Sequence, residues 1–106
     1  MEQSKQEAMA AGLKRLLESA RPELMRRLRV VEKAVEALHI NSLTEELRKP
    51  AHAEAHKLAG VLGTYGFKAA SHSAHELEVL FEKTCPTETK QMMVHIKIVK
   101  TAIEDK

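Results

Sequence analysis

Leu24, Leu28, Val31, Val35 and Leu38 recur at alternating spacings of four and three, which puts all five on one stripe of a helix with about 3.6 residues per turn. A stripe of that kind must be buried along its length, and the four-three pattern is that of helices packed at a small angle in a bundle. The same period runs through the rest of the chain. Met9, Leu13, Leu16, Leu17 and Ala20 predict a first helix from about Ser4 to Ser19. Proline fits the first turn of a helix and not its interior, so Arg21-Pro22 predicts the opening of a second helix that runs to about His39. Ile40-Asn41 supplies a turn. Ser42-Leu43-Thr44-Glu45 is a capping-box pattern that opens a third helix. Pro50 is a bend point; a helix that runs on through it, at the loss of one helical hydrogen bond, carries Ala51 to Thr64 and stops there. Gly66 there takes the left-handed cap conformation and Phe67 folds back as an apolar seal. A fourth helix, about Lys68 to Lys83, offers Ala70, Ala74, Leu77, Leu80 and Phe81 to a core before Thr84-Cys85-Pro86 ends it. The last, about Pro86 to Ile103, repeats Met92, Ile96, Val99 and Ile103. Strand-like alternation, repeats and low-complexity tracts are absent from the sequence. The expected fold is all-α: an antiparallel four-helix bundle with an additional N-terminal helix, in a single domain over residues 1–106.

A chain of 106 residues is long enough for one hydrophobic core without help from metals or disulfides. Lys, Arg and Glu are abundant, Trp is absent, and Tyr65, Phe67 and Phe81 are the only aromatic residues, a helical composition. The formal charge of +2 implies neither a nucleic-acid nor a membrane partner. Arg21, Arg26, Arg27, Arg29 and Lys33 are interrupted by Glu23, Glu32 and Glu36, and no exposed aromatic set is available for base stacking, so they are read as a solvated helix face. Cys85 is the only cysteine, which precludes an internal disulfide and suits a reducing compartment such as the cytoplasm. The polar start, Met1 to Lys5, and the short apolar stretch Ala8 to Leu13 make neither a signal peptide nor a membrane span. The expectation is a soluble cytoplasmic monomer.

Chemistry concentrates in Ala55-His56-Lys57-Leu58-Ala59-Gly60-Val61-Leu62-Gly63-Thr64-Tyr65-Gly66-Phe67. At about 100° per residue, Gly60 and Gly63 lie one and two turns beyond His56 on the same face, while Leu58, Leu62 and Tyr65 lie opposite. Each glycine inside a helix costs roughly 0.5–1 kcal/mol relative to alanine. Two of them beside a nucleophile-capable imidazole predict clearance, so that another surface can reach the ring.

This pattern resembles the histidine-containing phosphotransfer (HPt) domain of two-component phosphorelays. The resemblance is carried by His56, Lys57 directly after it, Gly60, Gly63, Gly66 and the aromatic pair Tyr65 and Phe67. Downstream, Ala69-Ala70 and Ala74-His75-Glu76-Leu77-Glu78 look like the family's helix that packs behind the active histidine. Many members carry lysine three residues after the histidine; here that position is Ala59, which leaves Lys57 as the only adjacent cation. The resemblance implies that His56 accepts a phosphoryl group from a receiver-domain aspartate or a histidine-kinase relay and passes it to a response regulator. It implies no kinase activity and no cofactor of the chain's own, since Mg²⁺ and the aspartate belong to the partner receiver, which can be part of a hybrid histidine kinase. Lys57, Gly60 and Gly63 would support the phosphoryl group and the partner, and His52, Ala53, Ala59 and Thr64 would line the interface. The residues suit that chemistry. An unperturbed imidazole titrates near ~6.5 and is largely neutral and nucleophilic near neutral pH without a partner base. Phosphoryl transfer through a loose in-line transition state asks mostly for positioning.

A metal-binding bundle is the alternative. His52 and His56 stand four apart and His72 and His75 three apart, as ligands on one helix face would. Di-iron bundles need Glu-x-x-His on each of two helices, and only Glu36-Ala37-Leu38-His39 supplies it.

Overall fold

A computed structural model describes residues 2–83 and 89–104, with side chains at position 12 and from position 14 onward. Four helices follow one another: α1 (Glu2–His39), α2 (Glu45–Thr64), α3 (Lys68–Phe81) and α4 (Thr89–Glu104). No strand occurs among the described residues. The expected termination at Thr84-Cys85-Pro86 and the first residues of the last helix lie outside them.

The additional N-terminal helix is not a separate element. α1 runs unbroken through Pro22 for 38 residues. A proline removes one hydrogen bond of the helical ladder, and here the packing outweighs that loss. Leu17 and Leu24, seven residues apart and therefore in phase across Pro22, are both buried, as are Leu28, Val31 and Val35. Leu16, grouped with Leu17 on the predicted stripe, is 58% exposed. Met9 and Leu13 fall outside the described side chains. At about 1.5 Å per residue α1 spans about 57 Å, and it sets the long axis of a molecule measuring 55 × 20 × 19 Å.

The helices pack in a ring, α1 on α2, α2 on α3, α3 on α4 and α4 on α1. Two arginines tie neighbouring helices together in antiparallel sense by satisfying carbonyls that a helix C-terminus leaves without partners. Arg21 Nε of α1 donates to the carbonyl of Ile103 near the end of α4 (2.8 Å). Arg48 Nη1 at the start of α2 donates to the carbonyl of Phe81 at the end of α3 (2.6 Å). Between the helices lie Leu28, Val31, Leu58, Leu62, Leu77, Phe81, Met92, Val99 and Ile103, all fully buried. Each large one contributes about 1.5–3 kcal/mol by leaving water. Leu38 and Ile96 are half-buried against this core.

Both described connections use the same device. After α1, Asn41 adopts a positive φ of 56°, with Ser42 N–H bonded to Ala37 O (2.7 Å) and Asn41 N–H to Leu38 O (3.0 Å). After α2, Gly66 takes φ 85°, Phe67 N–H reaches Leu62 O (2.9 Å) and Gly66 N–H reaches Gly63 O (3.1 Å). These paired bonds are Schellman caps, and Phe67 packs against the core as predicted. The capping box does not form. α2 opens at Glu45 with Thr44 as N-cap and no side-chain cap bond, and Ser42 Oγ turns back to Ile40 O (3.4 Å). Glu45, expected to bond back to Ser42, is held instead by Arg48 Nε and Nη2 at 2.9 and 2.7 Å. This hydrogen bond sets the Glu45 carboxyl below the usual carboxylate range.

Candidate functional site

α2 continues through Pro50 and carries His56 near the middle of the bundle. Ala51, Ala55, Leu58 and Leu62 are buried, so the packed face of α2 is fixed and the opposite arc is pushed to the surface. His56 stands on that arc with 71% of its side chain exposed. Its ring is open to approach.

The imidazole nevertheless has a partner that the sequence reading did not assign. His56 Nδ1 lies 2.8 Å from Oε2 of Glu78 on α3. The side chain of Glu78 is only 13% exposed, and its other oxygen, Oε1, is 3.4 Å from Nδ1 of His75. An ionised carboxylate only accepts hydrogen bonds, so Nδ1 of His56 is the donor and the lone pair of the neutral ring resides on Nε2. Glu78 therefore selects the tautomer and leaves Nε2 as the unengaged nitrogen of an exposed ring. The only local signal for this role is that Ser71, His75 and Glu78 share one stripe of α3 at four- and three-residue spacings, which Glu82 continues just past its end.

The two glycines do different things. A Cβ on Gly60 would meet nothing within 4 Å, as the clearance reading expects. A Cβ on Gly63 would lie 3.2 Å from Ser71 Oγ, so Gly63 serves close approach of α2 and α3. Ser71 Oγ fills that gap and donates to the carbonyl of Ala59 (2.7 Å). Ala59 is half-buried against the core and belongs to the same helix seam. Ala53 is exposed. So is Thr64, whose hydroxyl donates to Gly60 O (3.0 Å). Lys57 is 54% exposed and lies 3.6 Å from Glu54 Oε1, while Glu54 Oε2 accepts from Arg27 Nη1 at 2.7 Å. The cation that follows His56 in the chain is thus shared with a carboxylate anchored to α1.

His52, one turn before His56, is half-buried, with Nε2 3.8 Å from Glu82 Oε1. The two histidine pairs weighed as metal ligands do not assemble. His56 turns to Glu78, His72 Nε2 lies 3.7 Å from Glu76, and His75 faces Glu78. Each imidazole looks across to a carboxylate, and neither pair supplies a three-ligand group among the described residues. No described helix is long and apolar enough to cross a membrane.

A family model described as the Hpt domain matches residues 8–105. No curated protein matches the chain, nor does any solved structure.

Proposed function

The chain belongs to the Hpt domain family, whose members carry phosphoryl groups on histidine in phosphorelays and pair with receiver domains of response regulators or hybrid kinases, and from that premise we propose that His56 is its phosphoacceptor. The supporting observation is the pairing of an exposed imidazole with the shielded carboxylate of Glu78 at 2.8 Å. The Nε2 lone pair of neutral His56 attacks the phosphorus of a receiver's aspartyl phosphate. The Nε2–P bond forms as the P–O bond to the aspartate breaks, and the aspartate leaves as a carboxylate. The ring becomes cationic with its proton still on Nδ1, and Glu78 faces that charge as a hydrogen-bond acceptor. Reversal onto a second receiver returns the ring to its starting tautomer.

Mg²⁺ and the reacting aspartate are contributed by the receiver in this reading, so the chain supplies an oriented nucleophile on a rigid helix and needs no cofactor. Open space over Gly60 admits the partner's loops, Ala53 and Thr64 flank the approach, and Lys57, held near Glu54, adds only a weak, solvent-screened positive charge toward the phosphoryl oxygens. Gly63 and Ala59 act indirectly, by holding α2 against α3 and so fixing where His56 stands. A relay protein must release its partners, which suits a small contact area.

The test is transfer from a phosphorylated receiver to the purified protein. Acid-labile label appears on the wild type and is lost in His56→Gln; label retained by His56→Gln refutes the assignment.

A further inference from the structure

His52 has a contact problem that neither the packing nor phosphotransfer resolves. Its Nε2 is shielded from solvent and has no hydrogen-bond partner, and Glu82 Oε1 at 3.8 Å is beyond hydrogen-bond reach. Shielded polar atoms are rarely left unpaired, and an ion is one of the few things that explains one. The surroundings supply the rest of a coordination set. One ligand atom each from His52, Glu78 and Glu82 lies within 4.8 Å of the other two, where the end of α3 passes the first half of α2.

The geometry points to a site for one divalent cation of the zinc class, held by His52 Nε2, one oxygen of Glu78 and one of Glu82. Imidazole selects zinc, copper, nickel or iron over magnesium and calcium, which prefer oxygen throughout. Two carboxylates match a divalent charge. Zinc–ligand distances of about 2.0–2.2 Å put neighbouring tetrahedral ligands about 3.3–3.6 Å apart, so the three atoms must draw together by roughly 1 Å. Glu82, 59% exposed and just past the end of α3, can swing that far. Arg48 and Lys49 line the pocket shared with His52 and Glu82 and oppose a cation there. The charge of Arg48 is answered by Glu45 at 2.7 Å. This set is distinct from the pairs His52/His56 and His72/His75. It also shares Glu78 with His56, so occupancy reaches the imidazole. That consequence rests on the phosphoacceptor reading, whereas the site itself does not.

The experiment uses untagged, metal-stripped protein titrated with Zn²⁺ alone by calorimetry, and with Co²⁺ read by its visible absorption. The wild type takes up one equivalent with a tetrahedral cobalt spectrum. His52→Gln and Glu82→Gln each weaken binding roughly tenfold or more, since losing even a group that only orients a ligand costs about 10–100-fold. His72→Gln and His75→Gln retain it, and circular dichroism verifies that each variant is folded. The site is refuted if the wild type binds no tighter than the double variant His52→Gln/Glu82→Gln. Binding that survives Glu82→Gln and disappears in His75→Gln refutes it equally, by moving the ion to another side of Glu78.

Discussion

Glu78 holds Nδ1 of His56 at 2.8 Å across the α2–α3 seam, and its own side chain is only 13% exposed while the ring it holds is 71% exposed. A shielded acceptor and an open ring together leave one nitrogen engaged and the other unengaged. Replacing the carboxylate by an amide, Glu78→Gln, removes the charge and lets the amide donate as well as accept. A hydrogen bond to a charged group contributes about 1.5–3 kcal/mol, so transfer to His56 should slow by about ten- to a hundredfold. Rapid-quench kinetics give the rate, and ¹⁵N shifts of the ring give the tautomer. Unchanged rate with an unchanged tautomer would remove Glu78 from the site.

Gly60 and Gly63 should respond in opposite ways to the same substitution. Gly60→Ala places a methyl group in open space and should stabilise the helix by about 0.5–1 kcal/mol. Gly63→Ala presses on Ser71 Oγ at 3.2 Å, and Ser71, held by its bond to Ala59 O, must give by a few tenths of an ångström at the expense of that bond. A net loss of about 1 kcal/mol is expected there, read from urea midpoints. The longer Gly60→Gln should keep its helix content and transfer slowly; normal transfer would contradict the clearance reading.

Lys57 should matter little. Its ammonium group is exposed and lies 3.6 Å from Glu54, and an interaction of that kind contributes about 0.2–1 kcal/mol. Lys57→Ala is therefore expected to slow transfer by no more than about fivefold, with the difference shrinking in high salt. A drop of several decades would show that Lys57 leaves Glu54 for the phosphoryl group in the transition state.

The α2 cap is expected to be sensitive. Gly66 sits at φ 85°, where an L-side chain costs about 1–2 kcal/mol. Gly66→Ala should lower stability by that amount, measured by chemical unfolding. Equal stability would mean that the cap relaxes without strain.

At the other end of α2, acid should release Arg48 from Glu45. The folded-state carboxyl lies below its ordinary value because of the hydrogen bond to Arg48. The pairing therefore contributes fully above the unfolded-state value and fades as pH falls through the depressed folded-state one. An NMR titration of Glu45 should show the low midpoint, and Arg48→Gln should return it upward. A midpoint that ignores Arg48→Gln would contradict the pairing.

Helix content, the buried stripe of α1, the stop at Gly66 and the exposure of His56 were all legible in the chain, because each follows from a period of 3.6 residues or from the backbone freedom of one residue. The break at Pro22 and the box at Ser42 were local rules that lost to stronger neighbours. Leu17 and Leu24 stay in phase across the proline, and Arg48 takes Glu45. The remainder lies between helices. Twenty-two residues separate His56 from Glu78 and twelve separate Ala59 from Ser71. No helical period relates such positions; they meet because α2 and α3 pack antiparallel in one register. That register gives the imidazole its partner and turns one of two similar glycines into a packing contact.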